Sequence, residues 1–280
     1  VLSSQVDALI RLALDEDLGT GDVTSVATIG VDSHCEARVL AKAELVLAGM
    51  PYFSRVFELL DPSVSVTQLV EEGTRVKPGT VVATVGGPTR SVLSGERTAL
   101  NILQRLCGTA TTSRRYADAL DGFHTKVTDT RKTTPGMRLM QKYAARIGGA
   151  ANHRFGLDSG VLIKDNHIAA CGSLTKAVER ARRLAPHLLK IEVETTNLEE
   201  VDEAIAADAD VIMLDNMSNE DMTEAVRRVK ASGRRIITEA SGGITIERLP
   251  AVGATGVDFV SVGALTHSAL ASDISLDIFT

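Results

Sequence analysis

Apolar positions change period along this chain, and the change divides it into two regimes. The opening VLSSQVDALIRLALDEDLG repeats apolar residues at helical spacing and predicts an amphipathic helix. From 35 to 85 the pattern is strand-like: CEARVLAKAELVLAGM, then VSVTQLVEEGTRVKPGTVVATVGG. Gly73, Gly79, Gly86 and Gly87 separate short β-branched runs there, as tight turns between brief strands require. Leu93 to about Leu120 reads as a helix with a break near Gly108. Ser94 would cap it, Glu96 suits its positive end, and Arg97 opposes the dipole. After Gly122, short apolar runs predict strands at 126–130, 161–164, 189–194, 210–214, 235–240 and 257–262. The pattern allows a short seventh near 150–154. Helices are expected at 137–148, 173–184, 197–207, 218–231 and 244–252, with Ser173, Asn197 and Ser218 as caps. Repeated β-α units with continuous apolar strands imply a parallel sheet covered by helices. Six or seven units fall short of eight, so the fold class is α/β with an incomplete β/α barrel.

Parallel barrels place their chemistry at the C-terminal ends of strands. Those ends carry Thr130-Arg131-Lys132, His153-Arg154, Lys164, Glu192 and Glu194, Asp215, Ser241-Gly242-Gly243, and Gly263-Ala264-Leu265. Lys126 to Lys164 holds eight Lys or Arg against two acids, in a protein of formal charge -6. Such an island repels itself unless an anion sits in it. A surface cation is the plain reading of any one of these residues; their coincidence at strand ends favours ligand contact. Arg forks suit carboxylates and Lys suits phosphate as a point charge. SGGI and VGAL supply the flexible backbone that a phosphate needs at the late barrel loops. Glu194 and Asp215 would hold sugar hydroxyls, Mg²⁺, or an oxocarbenium charge. Their ligand pattern is too sparse for a dedicated metal cage, so Mg²⁺ is expected to arrive with a pyrophosphate. His153 could donate to a carboxylate. Arg138, Lys142 and Arg146 read as an ordinary solvated helix face.

Composition removes several classes. Aromatics are 3% with no Trp, against a base-stacking platform, and the acidic balance argues against a duplex binder, so no nucleic-acid partner is expected. No apolar run approaches bilayer length, and the start carries no basic leader, so neither a membrane nor an export signal is expected. Cys35, Cys107 and Cys171 form no CxxC pair, which points to the reducing cytoplasm. The hairpins at 71–87 are similar to those of lipoyl- and biotinyl-carrier domains. Their one lysine, Lys77, precedes Pro78-Gly79 at a spacing unsuited to an acceptor, which leaves them as scaffold.

The ordered motifs LDEDLGTGDVTS, LSGERTALN, TDTRKTTPGMR, QKYAARIGGAANHR, LIKDNH, IEVE, IMLDN, SGGI and VGALTHS span nearly the whole chain. Together they resemble quinolinate phosphoribosyltransferase. The resemblance implies an open-faced α/β sandwich (1–105), a seven-stranded barrel (106–266), and a tail (267–280) returning to the first domain. It implies quinolinate and phosphoribosyl pyrophosphate as substrates, nicotinate mononucleotide, pyrophosphate and CO₂ as products, and Mg²⁺ as cofactor. It also implies a homodimer in which Arg97 reaches into the partner's site, and leaves open whether dimers assemble further. Carried over by position, Arg131, His153, Arg154 and Lys164 would surround the two quinolinate carboxylates, with Thr130 a further substrate-binding residue. Lys132 and Lys164 would meet the pyrophosphate, Glu194 and Asp215 the ribose and metal. Lys132, Lys164, Glu194 and Asp215 would be the catalytic set. Ser241, Gly242, Gly243, Gly263, Ala264 and Leu265 would cradle the 5′-phosphate. Two alternatives stay open: a related barrel-type transferase (molybdenum-locus type or nicotinate-using), and a Schiff-base lyase using Lys164.

Overall fold

Ser3 opens the first helix by accepting from the Val6 N–H, and Val6, Ile10 and Leu14 then bury one stripe of α1 (Ser4–Leu18). The computed structural model describes residues 2–279. Contacts divide it into two units. One gathers the chain up to Arg114, Thr133–Gly149 and the chain from Ala264 on; the other is Arg115–Lys132 with Ala150–Gly263.

The first unit continues with α2 (Val23–Thr28), β1 (His34–Ala41), β2 (Leu45–Val46), α3 (Met50–Leu60), β3 (Ser65–Gln68), β4 (Arg75–Val76) and β5 (Val81–Pro88). Next comes α4 (Thr89–Asp118), 30 residues without interruption. This corrects the expected break at Gly108 and the expected cap at Ser94. Gly108 stays helical because its missing side chain admits the Leu270 carbonyl. Ser94 lies inside the helix and donates to Asp22. Arg97 is therefore in the helix interior, not its first turn, and the dipole argument about it and Glu96 lapses.

The strand-like reading of 35–85 also missed α3. Its signal was present: Pro51 near the start, then Phe53, Val56 and Phe57 at helical spacing, all buried. Glu72 accepts from the Gly49 and Met50 N–H groups (2.5 and 2.7 Å), standing in for a cap at its first turn.

The second unit is the barrel. Its strands are β6 (Lys126–Thr128), β7 (Val161–Ile163), β8 (Ile191–Thr195), β9 (Val211–Asp215), β10 (Ile237–Ser241) and β11 (Phe259–Ser261). They form one parallel sheet in the order β6-β11-β10-β9-β8-β7. The seventh position is a single bridge, Thr128 to Ala151. Between strands run α5 (Arg138–Ile147, in the first unit), α6 (Asp165–Cys171), α7 (Leu174–Leu184), α8 (Leu198–Ala206), α9 (Asn219–Ala231) and α10 (Leu249–Ala254). Ser173, Asn197 and Ser218 cap α7, α8 and α9 through their side-chain oxygens. The helix expected at 244–252 is shorter and later, because Pro250 sits in its first turn.

In the first unit, α11 (Ala264–His267) leads to β12 (Ile274–Phe279), which pairs antiparallel with β1 in the sheet β12-β1-β5-β3. Its core includes Tyr52, Phe53, Phe57, Leu100, Leu103 and Leu106. Burying each such side chain contributes about 1.5–3 kcal/mol. The solvated face expected on α5 is corrected too: Lys142 is buried, because Met140, Gln141, Ala144 and Ala145 around it are also covered. Among the described residues, no helix is long and apolar enough to cross a membrane.

Candidate active site

Alternation along the parallel strands decides what the barrel interior contains. Register places Glu192 beside Val211, Glu194 beside Met213, Met213 beside Glu239, and Asp215 beside Ser241. Residues two apart share a face, so Glu192 and Glu194 on β8, Met213 and Asp215 on β9, and Glu239 and Ser241 on β10 point the same way. Barrel interiors are normally filled with branched apolar side chains. Carboxylates at these positions depart from that pattern.

The lower part of the set is deeply buried. Glu192 and Glu239 are 6% and 5% exposed. His153 Nε2 stands 3.1 Å from Glu192 Oε2 and 3.5 Å from Glu239 Oε1. His153 Nδ1 accepts the Arg154 backbone N–H at 2.8 Å. Burial, and then the charge of Glu192, push the Glu239 carboxyl up to about 7, with His153 pulling the other way. Asp129, fully buried, accepts from the His153 N–H (2.9 Å) and from Asn152 Nδ2 (2.7 Å). That pair of bonds fixes the chain where it enters the site.

Above this layer a cleft of about 150 Å³ is walled by Thr130, Arg131, Lys132, Arg154, Lys164 and Ser241. Arg154 donates to the Gly160 carbonyl at 3.0 Å, while its buried Nε has no hydrogen-bond partner among the described residues. Burial and then the Arg131 charge lower the Arg154 pKa from its ordinary value, with Glu192 opposing. Two guanidinium groups held this close favour an anion between them. Thr130 Oγ1 accepts from the Lys132 N–H at 3.0 Å, setting the turn that displays Lys132. Lys164, half exposed, is in direct ion-pair contact with Glu194. Being exposed, it lacks the burial that activates a Schiff-base lysine.

Asp215 accepts from Asn216 at 2.8 Å, and the Asn216 N–H donates to the Ser241 carbonyl at 2.9 Å. Gly242 has φ +88, and a Cβ there would meet the Asn216 side chain at 2.2 Å, so only glycine fits. Of the expected phosphate residues, Ser241, Gly242, Gly243 and Gly263 belong to the barrel unit. Ala264 and Leu265 begin α11 in the first unit, where Leu265 is fully buried. Arg97 lies on α4 in the first unit, mostly exposed and 3.8 Å from Glu96.

Glu194 and Asp215 are half-buried oxygen donors on adjacent strands with one facing, which suits Mg²⁺. The sequence reading passed over Asp129, Asn152 and Glu239, and gave Glu192 no role. One signal was available: an acid inside an apolar strand, as in IITEA, is anomalous unless the barrel uses it.

Two family models match consecutively: the N-terminal domain of quinolinate phosphoribosyl transferase over residues 22–107, and its C-terminal domain over 109–277. The chain belongs to the quinolinate phosphoribosyltransferase family. A Synechocystis family member, described as a probable carboxylating nicotinate-nucleotide pyrophosphorylase, is 47% identical over 98% of this chain and 92% of its own. A Bacillus subtilis protein with the same description is 47% identical over 98% of this chain and 93% of its own. The solved nicotinate-nucleotide pyrophosphorylase of Francisella tularensis superposes with a TM-score of 0.94 at 40% identity, covering 100% of this chain and 98% of that one. Members of the quinolinate phosphoribosyltransferase family are pentosyltransferases, and the two-unit α/β fold with its barrel-type sheet is that of these neighbours.

Proposed function

We propose that this chain transfers phosphoribosyl from phosphoribosyl pyrophosphate to quinolinate, with loss of CO₂, giving nicotinate mononucleotide for NAD synthesis. The observation that carries this reading is the pair Arg131 and Arg154, set together over buried carboxylates at the strand ends of a barrel with 47%-identical relatives of that description. The two arginines, with Thr130 and Lys164, take the pyridine diacid, and the His153 ring lines the same cleft. Lys132 and Lys164 face the pyrophosphate. Glu194 and Asp215 hold the ribose hydroxyls and Mg²⁺, which when bound offsets the leaving pyrophosphate's charge. The glycine backbone of Ser241-Gly242-Gly243, with Gly263, Ala264 and Leu265, takes the 5′-phosphate. The dimer, with Arg97 supplied by the partner subunit, and the cytoplasmic location belong to the same proposal.

The chemistry needs positioning more than covalent help. The quinolinate nitrogen lone pair forms a bond to sugar C1, and the bond from C1 to the pyrophosphate oxygen breaks with its electrons leaving on pyrophosphate. Glu194 and Asp215 sit where carboxylates can stabilise the cationic sugar between those events. The nitrogen is then positively charged, so it stabilises the electron pair left on C2 when the adjacent carboxylate departs as CO₂. A proton from solvent replaces it.

Purified protein supplied with phosphoribosyl pyrophosphate, Mg²⁺ and either quinolinate or nicotinate tests this directly. The expected result is one CO₂ per pyrophosphate with quinolinate and little turnover of nicotinate, abolished by EDTA and restored by Mg²⁺. Preference for nicotinate, or pyrophosphate released without CO₂, overturns it.

A further inference from the structure

We propose that Glu192 is a positioning residue: by accepting from His153 Nε2 it fixes that ring's tautomer, and through it the backbone that carries Arg154. The inference rests on the proposed function, since it assigns Arg154 to the pyridine diacid.

His153, Glu192 and Glu239 offer ligand atoms all within 4.8 Å of one another, a spacing that would also suit a metal ion. The other ring nitrogen decides between the two readings. Nδ1 lies 2.8 Å from the Arg154 backbone N–H and receives that proton's hydrogen bond, so Nδ1 carries a lone pair. The ring's own proton is then on Nε2, which faces Glu192 Oε2 at 3.1 Å, while Glu239 Oε1 at 3.5 Å makes no hydrogen bond among the described residues. A metal on Nε2 would force a proton onto Nδ1, directly against the Arg154 N–H. Donor facing donor is unfavourable, so Glu192 and His153 work as a hydrogen-bonded relay. Asp129 anchors the same segment from the other side through the His153 N–H, and the Arg154 guanidinium is held to Gly160. One Arg154 nitrogen, Nε, is buried without a hydrogen-bond partner among the described residues, as expected of a group kept ready for an incoming acceptor.

The relay predicts a selective effect. Losing it should loosen Arg154 and weaken the substrate bearing carboxylates, while leaving phosphoribosyl pyrophosphate nearly untouched. Glu192→Leu removes the acceptor; Glu192→Gln keeps an acceptor oxygen of the same reach. The expected result is a quinolinate KM raised about tenfold in Glu192→Leu, the size of one positioned hydrogen bond. The KM for phosphoribosyl pyrophosphate should stay within about twofold in both. Glu192→Gln should restore most of the quinolinate affinity. Nitrogen-15 NMR of histidine-labelled wild-type protein should show His153 with Nε2 protonated and Nδ1 bare, a readout that needs neither turnover nor a folded variant. A wild-type spectrum with the proton on Nδ1, or equal losses for both substrates, overturns the inference. So does an unchanged quinolinate KM in Glu192→Leu. Wild-type protein that does not turn over quinolinate at all would instead strike the proposed function, leaving the tautomer result to stand by itself.

Discussion

A Cβ placed on Gly108 would stand 1.9 Å from the carbonyl oxygen of Leu270. Replacing a helix-interior glycine by alanine usually stabilises by about 0.5–1 kcal/mol. Here the opposite is expected, because overpacking costs about 1–3 kcal/mol and the obstacle is backbone. That backbone cannot retreat freely: the Ser272 N–H donates to the Gln104 carbonyl (2.9 Å) and Arg105 to the Ala269 carbonyl (3.0 Å). Gly108→Ala should lower Tm by several degrees. A scan showing Tm equal to or above wild type refutes this.

Asp129 is the buried acceptor for two donors of the Asn152–His153 turn. Asp129→Ala leaves both without it and should destabilise by roughly 2–4 kcal/mol. Asp129→Asn, which keeps one acceptor oxygen in place, should cost less. Urea titration of the two variants measures the difference, and equal midpoints would count against the assignment.

Glu239 links stability to pH with a sign opposite to that of most acids. Its folded carboxyl is pushed up from 4.5 to about 7 by burial and by Glu192. The folded protein therefore binds a proton that the unfolded chain releases between those values. Its contribution is full below the unfolded value and is lost as pH rises through the folded one, on the order of 1 kcal/mol per pH unit across the window. Comparing wild type with Glu239→Gln from pH 4.5 to 8 should show the wild type's relative stability falling as pH rises. A difference that grows, or stays flat, contradicts it.

Arg154→Met should weaken quinolinate by on the order of 2–5 kcal/mol, the cost of removing one member of a paired charge. Arg97→Ala should also be inactive if the partner subunit supplies that arginine. Mixing the two inactive proteins under subunit exchange should then restore turnover, because one site of each mixed dimer is intact. No recovery in a mixture shown by mass to contain hybrids would remove Arg97 from the site.

The barrel was legible in the sequence wherever local chemistry announces it. Continuous apolar runs marked β7 to β10, and Ser173, Asn197 and Ser218 each sit at a helix start. Charged residues at strand ends found Arg131, Arg154 and Lys164, which the structure brings to one cleft. The deeper layer was not legible, because Glu192, Glu239 and His153 meet only when strands distant in sequence align. Gly108 misled for a related reason: glycine in a helical pattern reads as a break until the close carbonyl is seen. In α3 the periodicity was plain, and the surrounding β-branched runs masked it.

The edge of β1 is covered by β12, a strand made only after the whole barrel. Until then, a nascent chain with its first sheet otherwise assembled exposes unpaired amides along His34–Ala41, an invitation to stray strand pairing. Disrupting the pairing of Ile274–Phe279 should therefore show first as aggregation in the cell, well before any change in how the barrel handles its substrates.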